Sequence, residues 1–201
     1  MSIATNRLKL LAILALFLLP LLAAVLMFNG QLPRLSGETV NQGKLVQPPV
    51  VLDWSKAEST PGSNPITALQ GSWVILFPLP PDCEQECLQK VTGLRQTHRA
   101  TGREQQRIAM VLLTTSPLDE DSRQQFTRIY DQFILLSDTT ASLQQSIQSA
   151  NLQSNLSEST LNSYLVDPLG NIMMAYDSAD SEMRLSKDLK RLLKWSKQDK
   201  E

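Results

Sequence analysis

The sequence predicts an α/β fold, a central mixed sheet flanked by helices, preceded by one transmembrane helix. Three observations predict it. Short apolar runs alternate with amphipathic stretches after about residue 50, the pattern of strands linked by crossover helices. Two late apolar runs, Leu161–Val166 and Ile172–Tyr176, are joined by Asp167-Pro168-Leu169-Gly170-Asn171, a turn with Pro and Gly where a hairpin wants them. Finally, Leu10–Phe28 is an unbroken apolar run. Of 201 residues, 42% are apolar and 19% charged, enough to fill one ordinary core beside a membrane segment.

The N-terminal run comes first. As a helix, residues 10–28 span roughly 28 Å, close to the hydrocarbon thickness of a bilayer. Arg7 and Lys9 precede it and no acid does, so residues 1–9 are expected to stay cytoplasmic and the remainder to be exported. A cleaved signal peptide has a shorter apolar region ending in small residues. Here Ala23 and Ala24 are followed by Val25, Leu26, Met27 and Phe28, which favours an uncleaved anchor in the bilayer. The simplest account is a single-pass protein of a bacterial inner membrane with a periplasmic domain. Residues 29–49, with Gly30, Pro33, Gly37, Gly43, Pro48 and Pro49, read as a linker. Residues 50–201 read as the folded domain.

Within that domain Val50–Asp53 and Thr67–Leu69 read as short strands, and Trp73–Phe77 as a buried strand ended by Pro78. Glu84 to about Thr101 is expected to be helical, with Cys87, Val91, Leu94 and His98 on one face. Ile108–Leu113 is a second apolar strand, Asp119–Phe133 a helix, Ile134–Leu136 a strand and Ala141–Ser149 a weaker helix. After the hairpin, Ser181–Lys197 closes the chain as a helix. Its stripe is Leu185, Leu189 and Leu192; Lys187, Lys190, Arg191, Lys194 and Lys197 form its other side. A hairpin followed by a last helix is the back half of a thioredoxin-like fold.

Composition also excludes. A net charge of −1 argues against binding nucleic acid through a broad basic surface. One histidine and two cysteines exclude His-rich metal sites, four-cysteine zinc sites and disulfide-dense mini-proteins.

The chemistry rests on Cys83 and Cys87, at the start of the first domain helix. Their spacing brings both side chains to one helical face, roughly 5–6 Å apart at Cβ. Slight opening of the first turn would close a disulfide. Cys83 would feel the helix N-terminus, which favours thiolate, and Asp82 is the expected N-cap. Asp82, Glu84 and Glu86 oppose thiolate formation through their charge. A redox pair, a metal-binding pair and a plain structural bridge remain open on these residues alone.

Gly71-Ser-Trp-Val-Ile-Leu-Phe77 followed by Cys83-Glu-Gln-Glu-Cys87, and later Tyr164-Leu-Val-Asp-Pro-Leu-Gly170, resemble the Sco/SenC family. These are membrane-anchored thioredoxin-like proteins that assist cytochrome c oxidase assembly. The resemblance implies thiol–disulfide exchange with Cys83 attacking and Cys87 resolving, and an oxidase subunit or another assembly factor as partner. It also implies Cu(I) held by Cys83 and Cys87 with a histidine eight residues before Asp167. That position is Ser159 here, so the chain reads as an atypical member lacking the copper-ligand histidine. Nor does His98 replace it: eleven helical residues from Cys87 place it roughly 16 Å further along, far beyond a metal bond of about 2 Å. Met173 and Met174 follow the Asp-Pro turn, and strand alternation lets at most one approach the cysteines. Three roles are thus carried forward: a thiol–disulfide oxidoreductase, a Cu(I) metallochaperone, and a non-catalytic interaction module with a structural disulfide.

Overall fold

The computed structural model describes residues 3–28, 40–157, 159, 161–177 and 181–196. Most of the expected linker, 29–39, and Lys197 lie outside them. The chain divides into two units, 1–40 and 41–201.

The first unit is helix α1, Ile3–Phe28, with Pro20 inside it. Its described side chains include exposed Ile13, Leu16, Phe17 and Leu19. Among the described residues no helix is long and apolar enough to cross a membrane. The side chains described in α1 run unbroken only over 12–26, about 22 Å of helix, and the expected 10–28 span extends beyond them at both ends.

The second unit is built on a seven-stranded sheet, β1 (Lys44–Val51), β2 (Glu58–Ser59), β3 (Trp73–Pro78), β4 (Ile108–Thr114), β5 (Phe133–Ser137), β6 (Ser163–Val166) and β7 (Asn171–Tyr176), in the order β1-β7-β6-β3-β4-β5-β2. β3, β4 and β5 are parallel; β6, β7 and β1 continue antiparallel on one side and β2 pairs antiparallel with β5 on the other. The mixed sheet expected from the alternation of strands and helices is present.

Central strands read as continuous apolar runs because both faces are covered. All six residues of β3 but the last are buried, as are all seven of β4. One face packs on α2 (Gln85–Arg99), α3 (Glu120–Ile129) and α5 (Ser181–Trp195), through Cys87, Val91, Leu94, Phe126, Leu185 and Leu189. The other packs on α4 (Ser142–Ser154) through Leu143, Ile147 and Ala150.

Four expectations are corrected. Residues 44–49, read as linker, belong to β1. Pro48 and Pro49 fall where the β1–β7 register shifts, between Leu45 and Val50; an irregular stretch of an edge strand is where a missing N–H is tolerated. Thr67–Leu69 is part of a short 3₁₀ turn, Ile66–Leu69, closed by Ala68 N–H to Pro65 O and Gln70 N–H to Thr67 O. Helix α3 stops at Ile129, and Phe133 opens β5 instead of ending the helix. Asp82 is not the helix cap: α2 starts at Gln85 behind Glu84.

The segment 41–43 is held firmly. The Asp188 carboxylate of α5, buried within the unit, accepts from Gln42 N–H (2.9 Å), Gly43 N–H (2.7 Å) and Tyr176 Oη (3.1 Å). A Cβ on Gly43 would stand 2.5 Å from the Tyr176 ring. Glycine is required there by the close approach.

Candidate functional site

The site forms where β3 ends. Pro78, Pro80 and Pro81 stop the strand, and the chain runs through Asp82 and Cys83 into α2. Glu84 is the N-cap in extended conformation, without a side-chain cap bond. Its own N–H bonds Asp82 O at 3.1 Å. Cys83 therefore lies one residue before the cap and Cys87 in the first turn. That offset supplies the opening of the turn that a bridge at this spacing needs.

The two cysteines are joined as a disulfide, with Cα atoms 5.2 Å apart, inside the usual range for a bridge. Their surroundings differ. Cys87 is buried among Phe77, Val91 and the rest of that core face, whereas Cys83 is only partly buried. Cys83 is thus the more exposed residue of the bridged pair.

A cavity of about 600 Å³ opens beside the bridge, lined by Pro80, Asp82, Glu84, Gln85, Glu86, Cys87, Gln89 and Leu161. Its described lining holds three carboxylic acids and no basic side chain. The negative environment expected from the sequence is preserved in three dimensions. Ser159, at the position of the family histidine, lines a neighbouring cavity of about 430 Å³ with Pro78, Pro80 and Tyr164. Pro80 lies on both. Tyr164 donates to Asn151 Oδ1 at 2.7 Å, and burial pushes its phenol up to about 12, so it remains a neutral donor. Neither the Tyr164–Asn151 bond nor the position of Ser159 beside this cavity stood out as a site feature in the sequence; the only sequence signal was the count back from Asp167.

His98 is remote from the site chemistry. It is 2% exposed, with Nε2 3.2 Å from Gln105 O and 3.1 Å from Ile108 O, and Nδ1 2.8 Å from Tyr130 Oη. Burial holds its pKa below the ordinary value despite those carbonyls. It is a neutral packing histidine that ties α2 to the start of β4.

Copper does not fit a three-donor site here. Among the described residues no group of three or more His, Cys, Asp or Glu is placed to hold a metal. Met174 sits in the core with Tyr176 Oη 3.4 Å from its sulfur, and Met173 packs partly buried against the same core. Reduction of the bridge would supply two thiolates, and among the described residues no His, Asp or Glu is grouped with them as a third donor.

Residues 73–196 match the family described as transmembrane-like, thioredoxin-like, C-terminal domain. The chain belongs to this family. Solved structures agree on the thioredoxin-like fold. Apo Sco1 from Thermus thermophilus superposes with a TM-score of 0.53 at 14% identity, over 78% of this chain and 99% of that one. Copper-bound ScoI from Arabidopsis thaliana gives 0.51 at 15%, over 64% and 88%. A peroxiredoxin Q mutant from Xanthomonas campestris gives 0.46 at 14%, over 78% and 99%. No curated protein matches in sequence.

Proposed function

We propose that this chain is a membrane-anchored thiol–disulfide exchange protein of Sco-like build, with Cys83 as the attacking sulfur and Cys87 as the resolving one. The observation that carries the reading is the bridge itself: it lies at a strand-to-helix junction, one sulfur accessible and the other buried. In the reduced chain the Cys83 thiolate attacks a partner's disulfide, forming a mixed disulfide and expelling the partner's second sulfur as thiolate. Cys87 then attacks Cys83 Sγ, which releases the partner's first sulfur. The partner gains two electrons and two protons as a dithiol, and Cys83–Cys87 closes. A dithiol reductant of the same compartment reopens it.

The purely structural alternative is weakened by the loop the bridge closes. With a separation of four residues, the entropic stabilisation is only about 2 kcal/mol. The unit already has two hydrophobic core clusters, one on each face of its sheet. A Cu(I)-carrier role draws on the Sco-like motifs and on a copper-bound structural neighbour, but among the described residues no His, Asp or Glu joins the two cysteines as a third donor.

The anchor supplied by residues 10–28, a periplasmic domain at a bacterial inner membrane, and a subunit or assembly factor of cytochrome c oxidase as the partner complete the proposal. They rest on the apolar run, the flanking cations and the Sco-like motifs. The test is mixed-disulfide trapping in membranes of the source cell. Cys87→Ser should accumulate a covalent adduct through Cys83, released by reductant. An adduct forming equally with Cys83→Ser, or with neither variant, would defeat the assignment.

A further inference from the structure

Helix α4 brings three side-chain amides to one cavity. Gln144, Gln148 and Asn151 fall within about 60° of the helix circumference, and all three line the cavity of about 430 Å³ next to that of the bridge. Its apolar wall is Leu79 and Ile147, both buried, with Pro78 and Pro80. Asn151 is 9% exposed. Its Oδ1 accepts from Tyr164 Oη at 2.7 Å, which leaves Nδ2 without a hydrogen-bond partner among the described residues. The side-chain amides of Gln144 and Gln148 have none there either; Gln144 donates through its main chain, to Asp138 Oδ2 at 2.9 Å.

Exposed glutamines are ordinarily solvated and nothing more. Here the third member of the row is buried and holds an unmade donor at a cavity with an apolar wall, and donors of that kind are costly to leave unpaired. Each amide can both donate and accept, which is what a peptide main chain offers in return.

Dimension and place agree with that occupant. From Gln144 to Asn151 the row runs roughly 10 Å along the helix axis, and three residues of extended chain also span about 10 Å. Pro80 lines both this cavity and the one beside the Cys83–Cys87 bridge. Pro80 and Cys83 are three residues apart, so their Cα atoms lie within about 11 Å of each other. A chain whose cysteine meets Cys83 therefore reaches this cavity with residues about three positions from that cysteine.

We infer that the cavity binds the main chain of an extended, cysteine-bearing segment of the exchange partner, whose N–H and C=O groups pair with the side-chain amides of Gln144, Gln148 and Asn151. The inference rests on the proposed exchange at Cys83 and adds what the partner must present there. Pairing with main chain selects an extended conformation beside the partner's cysteine before it selects sequence.

The experiment uses the full chain carrying Cys87→Ser, with Cys87→Ala in parallel so that a packing defect at one is not decisive. Each is loaded at Cys83 with a seven-residue peptide whose central cysteine is activated as a thiopyridyl disulfide. The Cys83 thiolate takes the peptide sulfur and expels thiopyridone, so the adduct forms whether or not Cys83 has a natural partner. The equilibrium of Cys83 between peptide and glutathione is then measured for the parent peptide and for versions N-methylated at three successive residues before or after the cysteine. Each amide hydrogen bond lost should weaken the peptide adduct about fivefold. With two such bonds the parent should be favoured about 25-fold over one of the methylated versions. Gln144→Ala with Gln148→Ala should remove most of that preference, by weakening the parent adduct and leaving the methylated one unchanged. Equal partition of all three peptides overturns the inference, and so does a preference that survives the double substitution. Failure of the exchange reading shows separately: the wild-type bridge would then resist every glutathione ratio, while the adduct on the Cys87 variants still reports on the cavity.

Discussion

Asp188→Ala is expected to destabilise the folded unit by about 3 kcal/mol. The carboxylate accepts from two backbone N–H groups of residues 42–43 and from the Tyr176 hydroxyl. Gln42 is exposed and can turn to water when its acceptor is lost. Gly43 N–H and Tyr176 Oη are buried, and each buried donor left without a partner costs about 1–3 kcal/mol. The Tyr176 phenol is held well above its usual pKa, first by burial and then by the Asp188 charge, so it cannot adjust by ionising. Asp188→Asn keeps one acceptor oxygen and should lose about half as much. Urea unfolding of a fragment from Gly30 onward gives both values, and hydrogen exchange at Gly43 gives the local one. A loss under about 0.5 kcal/mol for Asp188→Ala, with Gly43 exchange unchanged, would refute the reasoning. It would mean that β1 is held to the sheet by its β7 pairing alone.

Other outcomes follow from the same packing. Gly43→Ala should cost about 1–3 kcal/mol by pressing on the buried Tyr176 ring, with Gly43→Ser no better; urea midpoints decide it. Glu182→Gln should cost about 1–2 kcal/mol because it removes the carboxylate 3.2 Å from the buried Lys90 ammonium, whose pKa burial already lowers. Lys90→Met with Glu182→Gln should recover most of that loss, as measured by a double-mutant cycle. His98 has a folded pKa below its unfolded value of about 6.5. The unfolded chain therefore binds more protons between the two values. Stability is full above about pH 6.5 and falls as pH drops through it, by at most ~1.4 kcal/mol per pH unit. Unfolding curves from pH 7.5 to 5 should show this slope, and it should shrink in His98→Gln. For the copper question, the reduced chain should hold Cu(I) weakly against a chelator, and Ser159→His should tighten it at least tenfold. Equal binding by both would show that Ser159 does not occupy the ligand position.

The sequence made some elements legible and concealed others for identifiable reasons. β3, β4, β6 and β7 were legible because strands buried on both faces must be apolar throughout. The hairpin was legible because Pro168 and Gly170 leave the chain few other conformations. β1 was hidden because Pro48 and Pro49 mark linkers far more often than edge strands, and only the fold supplies an edge with an irregular stretch to hold them. The two-residue β2 carries no periodicity at all. The Cys83–Cys87 pair was visible from spacing and placement, but the helix start was not: Asp82 is the residue type that caps helices, whereas the chain path after Pro81 carries the start on to Gln85, behind Glu84. The unequal burial of the two sulfurs depends on the core behind α2. Likewise the inward turn of Glu182 and Asp188 depends on Lys90 and Gly43, which lie far from them in sequence, and on Tyr176 of the preceding strand.

The central claim is that Cys83–Cys87 is an exchanging bridge attacked at Cys83. Its most direct test is equilibration of the full chain with defined ratios of reduced to oxidised glutathione, with Cys83 and Cys87 alkylated and counted by mass. The account predicts that both thiols appear together in one two-electron transition, that the folded unit persists when reduced, and that Cys87→Ser collects glutathione on Cys83 far faster than Cys83→Ser collects it on Cys87. A bridge that stays closed across every ratio, or equal rates at the two sulfurs, would contradict it.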